Sequence, residues 1–126
     1  MKFPKPLDFT ILFFFTFKFF AFFIIERGSE LGNGATVKSG ATVTACYIGA
    51  LADTGVIFDT ADAHGGPQTF SLGQVIAGWQ VGIPGMKVGG TRELLIPSAM
   101  GYGTQGSGAI PPNADLIFIV SVESTK

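Results

Sequence analysis

The stretch 75-VIAGWQVGIPGMKVGGTRELLIPSAMGYGTQGSGAIPP-112 decides the fold. At its centre is a short apolar strand, TRELLIP, framed by two glycine-rich turns. Ahead of it, VIAGWQVGI is the one helical segment in the chain, with Ile76, Trp79 and Ile83 at helical spacing. Gly78 and Gly82 weaken that helix and Pro84 ends it. Behind the strand, Tyr102 stands between two glycines in a loop, an odd place for a residue that only packs. The glycines at 101, 103, 106 and 108 suggest a phosphate loop, but there is no GxxxxGK[ST] pattern and no helix follows. What remains is an aromatic pocket rimmed by glycine and proline turns, with Ile110, Pro111 and Pro112 stiffening the approach to the next strand.

Outward from this stretch the chain alternates as a β protein does. ATVTACYIGAL (41–51) puts Val43, Ala45 and Tyr47 on one face and Thr42, Thr44 and Cys46 on the other. Asp53-Thr54-Gly55 is a turn, and VIFDT (56–60) puts Val56 and Phe58 on one face. By the same alternation Asp59 points away from Phe58, unless the strand ends there. ADAHGGPQ (61–68) is a loop in which His64 is solvated, TFSL (69–72) is a brief strand, and ADLIFIVSV (114–122) is a long one. That last strand is apolar on both faces, so the N-terminal tail or a partner is expected to cover its outer side.

Composition narrows the class. With 126 residues the chain has the length of one domain, and 18 glycines with seven prolines suit turn-rich β structure. Charged residues are 13% and the net charge is −1, so no basic footprint points to nucleic acid. A single Cys excludes an internal disulfide, and one His without a CxxC pair argues against a structural zinc. Cys46 alternates with Tyr47 and faces away from the pocket; a lone thiol without a neighbouring base is a poor nucleophile.

The chain divides near residue 22: a Phe-rich apolar segment (1–22) precedes the domain proper (23–126). FTILFFFTFKFFAFFII (9–25) reaches the lower length limit of a membrane span, about 17 residues. Lys18 near its middle would cost on the order of 2.5–3.5 kcal/mol there. Lys2 and Lys5 give the positive start of an export signal, yet no small-x-small cleavage site follows. Membrane association through residues 9–25, export, an atypical tail of a cytoplasmic protein, and an unreliable start of the reading frame are the open readings. FFIIERGSELGNG (22–34) reads as an edge strand entering a Gly-Asn-Gly turn.

Several motifs in order now become telling: YxG at 47–49, FD at 58–59, FxLG at 70–73, VIxGW at 75–79 and GMxxGG at 85–90. They continue with IP at 96–97, YG at 102–103 and IPPNAxLxFxV at 110–120. Together they closely resemble the FK506-binding (FKBP) family of peptidyl-prolyl cis-trans isomerases, over about residues 25–122. The resemblance implies an α+β fold, an antiparallel sheet of five or six strands wrapped around one short helix. It implies a pocket built of Tyr47, Phe58, Asp59, Phe70, Val75, Ile76, Tyr102, Ile110 and Phe118, with Trp79 as its floor. Tyr47, Phe58, Asp59, Trp79, Tyr102 and Phe118 would be catalytic, and Phe70, Val75, Ile76 and Ile110 would bind substrate. Asp59 would tie Tyr47 to the ligand end of the pocket, and the Tyr102 hydroxyl and Ile76 N–H would bind carbonyl groups. The implied partners are proline-containing polypeptides and FK506-type macrolides, with no cofactor or metal. Three positions depart from many relatives: Gln68 where an aromatic is common, Gln74 as a one-residue link to the helix, and Ser107 in a short rim loop.

The implied reaction suits these residues. Rotation about a peptide bond faces a barrier of about 18–20 kcal/mol that comes from amide resonance. A twisted amide has lost that conjugation and has a less polar carbonyl, so an apolar pocket disfavours the planar form more. No proton has to move. The rival functions are a non-catalytic docking module on the same fold, or a membrane-tethered chaperone that grips unfolded chains.

Overall fold

The computed structural model describes residues 9–16, 20–27 and 32–126, with side chains from residue 32 onward. Among these residues seven strands form one antiparallel sheet: β1 (Phe9–Thr16), β2 (Phe20–Arg27), β3 (Thr42–Leu51), β4 (Ile57–Thr60), β5 (Gln68–Ser71), β6 (Thr91–Ile96) and β7 (Leu116–Thr125). The order across the sheet is β1-β2-β6-β7-β3-β4, with β5 also paired to β3. Strands β3 to β7 with one short helix make the architecture implied by the resemblance; β1 and β2 add two strands at one edge. Lys2, Lys5 and Lys18 lie outside the described residues.

The N-terminal segment enters the sheet edge to edge. β1 and β2 pair along their whole length, and β2 joins β6 through Phe23↔Leu95, Ile24↔Leu94 and Ile25↔Glu93. The hairpin thus extends the sheet beside β6, with β6 between it and β7, the strand whose outer face it was expected to cover. Among the described residues no helix is long and apolar enough to cross a membrane.

The inner face of the sheet follows the expected alternation. Leu116, Phe118, Val120 and Val122 of β7 are buried, as are Leu94 and Ile96 of β6 and Val43, Ala45 and Tyr47 of β3. Helix α1 (Ala77–Gly82) lies on that face, with Trp79 buried beneath it. Gly78 and Gly82, which weaken the helix intrinsically, are what let it approach. A Cβ at Gly78 would stand 2.6 Å from Ile96 Cγ2, and one at Gly82 would stand 2.8 Å from Leu94 Cδ2. The helix forfeits about 1 kcal/mol of propensity per glycine and gains contact with the sheet. Its last turn is tied down by Arg92 of β6, which donates from Nη1 to the Gly82 carbonyl at 2.8 Å. A buried cation at a helix C-terminus satisfies a carbonyl that has no intrahelical partner.

The candidate active site

The pocket opens between α1, β3, β4 and the loop after β6. Its cavity of about 380 Å³ is lined by Tyr47, Phe58, Asp59, Phe70, Gln74, Val75, Ile76, Trp79, Tyr102 and Phe118. Trp79 is the hub of the floor. Phe70, Phe118 and Tyr47 meet it edge-on, at centroid distances of 5.1, 5.2 and 5.5 Å and interplanar angles near perpendicular (80°, 82° and 77°). Such T-shaped pairs set the positive ring edge against the negative ring face. Phe58 extends the wall by meeting Phe118 at 5.6 Å and 84°. Trp79 Nε1 is buried without a hydrogen-bond partner among the described residues. An unpaired buried donor costs about 1–3 kcal/mol, so the floor is held by ring packing and not by polar contacts.

Gly49 belongs to this wall as well. A Cβ there would stand 2.6 Å from Phe118 Cε1 and 2.8 Å from Phe58 Cζ, so its bare backbone leaves room for both rings. Sequence reading found Gly49 as part of a motif and assigned it no task; Gln74 it saw only as a short link.

The rim breaks the alternation on which the sequence reading relied. β4 pairs with β3 through Thr60↔Ile48, Asp59↔Gly49 and then Ile57↔Ala50, leaving Phe58 as an extra residue. This β-bulge turns two successive side chains, Phe58 and Asp59, toward the same cavity. Val56 lies just before β4 and, with Ile57, is exposed at the hairpin tip. Asp59 therefore does not point away from Phe58.

Asp59 is the centre of the polar contacts. Its Oδ2 accepts the Tyr47 hydroxyl at 2.8 Å, and its Oδ1 accepts the Thr60 backbone N–H at 2.9 Å and His64 Nε2 at 2.8 Å. His64, expected to be merely solvated, is thus bound to a pocket residue. Burial, then the bond to Asp59, push the Tyr47 hydroxyl well above the usual phenol range. Tyr102 is raised too, by burial first and the Asp59 charge second. Both remain protonated donors at neutral pH.

Tyr102 is presented by a loop pinned at several points. Its carbonyl accepts the Gly106 N–H, Gly103 accepts from Asn113, and Ser98 N–H donates to Asp115 Oδ1 at 2.9 Å. Its own hydroxyl has no hydrogen-bond partner among the described residues, and neither has the Ile76 N–H at the start of α1. Ile110 is buried but lines a neighbouring cavity of about 240 Å³ with Phe58, Asp59, His64, Tyr102, Ser107 and Ala109. Of the ten residues expected in the pocket, it is the one the main cavity leaves out. Gln68 does not line the main cavity; its Nε2 donates to the carbonyls of His64 (3.0 Å) and Gly66 (2.8 Å) and braces their loop. Cys46 faces the opposite side of β3 from the pocket, donating to Glu123 Oε2 at 3.2 Å; burial and that carboxylate raise its thiol to about 11.

A deep apolar floor lies under a rim that carries two uncommitted donors and a fixed carboxylate, a combination able to take an apolar ring and a polar backbone together. Comparison with known proteins gives that pocket its family. Residues 33–123 match the family model described as FKBP-type peptidyl-prolyl cis-trans isomerase. FK506-binding protein 2 of Kluyveromyces lactis is 44% identical over 130 residues, covering 94% of this chain and 89% of that protein. An FK506-binding protein of Streptomyces anulatus is 46% identical over 92 residues, 70% of this chain and 74% of that one. The crystal structure of FkpA from Escherichia coli superposes with a TM-score of 0.74 at 38% identity; the match covers 82% of this chain and 48% of that chain. The chain belongs to the FKBP-type peptidyl-prolyl cis-trans isomerases, enzymes that rotate the peptide bond preceding proline.

Proposed function

We propose that the 380 Å³ cavity binds the prolyl ring against Trp79 while the Tyr102 hydroxyl and the Ile76 N–H hold the flanking carbonyls. The observation that carries this reading is the pairing of an aromatic floor with two donors that have no partner among the described residues. Phe58, Phe70, Val75 and Phe118 exclude water from the bond being rotated, and Tyr47 and Asp59 hold the rim in place. In that environment the planar, polar amide loses more solvation than the twisted one, which lowers the barrier differentially. Ile110 contributes from the second cavity, beside the residue next to proline. FK506-type macrolides would compete for the same floor.

The test is isomerisation of a short Xaa-Pro peptide by the full chain and by residues 23–126, with Phe58→Ala and Tyr102→Phe beside them. Acceleration that drops sharply in Phe58→Ala and several-fold in Tyr102→Phe is the expected result. A folded chain without acceleration would make the pocket a docking site. We place the isomerase unit within residues 23–126, which hold every pocket-lining residue; the boundary falls inside β2 (Phe20–Arg27), whose β6-paired residues Phe23, Ile24 and Ile25 it keeps. Membrane association through residues 9–25 rests on their apolar composition alone. Cosedimentation with phospholipid vesicles that is lost on removing residues 1–22 is its test.

A further inference from the structure

The polar cluster at the rim does more than brace the pocket. Asp59 is shared by both cavities, and His64 lines only the smaller one. The carboxylate can only accept, so His64 Nε2 must carry the proton in the 2.8 Å contact. His64 is held there from three sides. Its backbone N–H donates to the Ala61 carbonyl (3.0 Å), and its carbonyl accepts from Gln68. The Thr60 hydroxyl accepts the Ala63 N–H (3.1 Å), fixing the short 3-10 turn Asp62–His64. The imidazole is half exposed, so protons reach it from solvent.

We infer that His64 is a positioning residue that sets the charge of the rim and, through Asp59, makes the enzyme's preference for the residue preceding proline depend on pH. The inference rests on the proposed seating of the prolyl ring in the larger cavity. With the ring there, the preceding residue lies toward the smaller cavity, because the two share Phe58, Asp59 and Tyr102. Histidine is the side chain that changes charge across the physiological range. When His64 is protonated, the Asp59–His64 pair is neutral. When His64 is neutral, Asp59 leaves a full negative charge on the subsite. An acidic residue before proline is then repelled and a basic one attracted.

The other groups facing His64 do not confuse this. Asp62 lies on the same short turn and lines neither cavity. Tyr47 from β3 and Tyr102 from the loop after β6 stay protonated there. No Lys or Arg lines either cavity among the described residues.

The experiment measures kcat/KM of the full chain on Glu-Pro, Lys-Pro and Leu-Pro peptides between pH 5.5 and 8. The Glu-Pro to Lys-Pro ratio should fall roughly three- to tenfold as pH rises, the effect of one partly screened charge at close range. In His64→Gln the ratio should stay at its high-pH value, and in His64→Arg at its low-pH value. A ratio insensitive to pH in the unaltered chain overturns the inference. So does an equal pH response in His64→Gln, or a response seen only when the charged residue follows proline. The ratio is internal to each variant, so a loss of stability does not imitate it. Inactivity of the folded, unaltered chain on Leu-Pro is a different failure, removing the catalytic reading and this inference with it.

Discussion

The floor and the rim of the pocket are built on opposite principles. The floor is regular: Trp79 on a helix, Phe70 and Phe118 on strands, each where periodicity sends it, joined by edge-on ring contacts. The rim is irregular. Phe58 and Asp59 share a cavity because of a bulge, His64 comes from a 3-10 turn, and Tyr102 rides a glycine-rich loop. On the proposed reading the floor serves affinity and stability together, because one set of ring contacts would do both. The rim would serve selectivity, because its groups are partly exposed at the mouth of the pocket.

That contrast can be broken by mutation. Trp79→Ala, which removes the hub of the floor, should cost about 3–5 kcal/mol of stability in a denaturant titration and abolish activity. If the fold survives with little loss, floor and core are separable and the comparison fails.

Gly78→Ala tests whether the helix is seated by contact or by propensity. Propensity alone would stabilise the helix by about 1 kcal/mol. Overpacking against Ile96, itself 1% exposed, should instead destabilise the domain by about 1–3 kcal/mol. A stabilised variant would show that the helix can lift off the sheet at no cost.

The rim should answer more weakly in stability. Tyr47→Phe leaves Asp59 Oδ2 without its hydroxyl partner and should cost about 0.5–1.5 kcal/mol. Tyr102→Phe should change the unfolding free energy by less than about 0.5 kcal/mol while lowering kcat/KM several-fold. A Tyr102→Phe variant that loses stability and activity in proportion would make Tyr102 part of the floor.

The smallest effect lies on the far face of β3. The thiol of Cys46 is raised from 9.0 to about 11 by burial and by Glu123. The folded state therefore favours the protonated thiol. Stability from this group is complete below about pH 9 and is lost as pH rises toward 11. Cys46→Ala should flatten that alkaline decline slightly and leave isomerisation at neutral pH unchanged.

What the sequence alone determined is the periodic part of the molecule: the alternating inner rows of β3 and β7, the helix with Trp79 at its centre, and the motif order that identifies the family. These are local patterns, and the buried face follows from the repeat of the backbone. The tertiary structure alone decided the rest. The bulge that turns Phe58 and Asp59 inward is a mismatch in count between β4 and β3, which neither strand carries by itself. Gly78 and Gly82 look like weaknesses until Ile96 and Leu94 arrive from β6. The Phe-rich segment reads as a tail or an anchor until β2 finds the free edge of β6. His64 looks like a solvated loop residue because its partner, Asp59, faces it only after both the bulge and the 3-10 turn have formed. Periodicity is encoded within a segment, whereas register, close approach and shared polar partners exist only between segments.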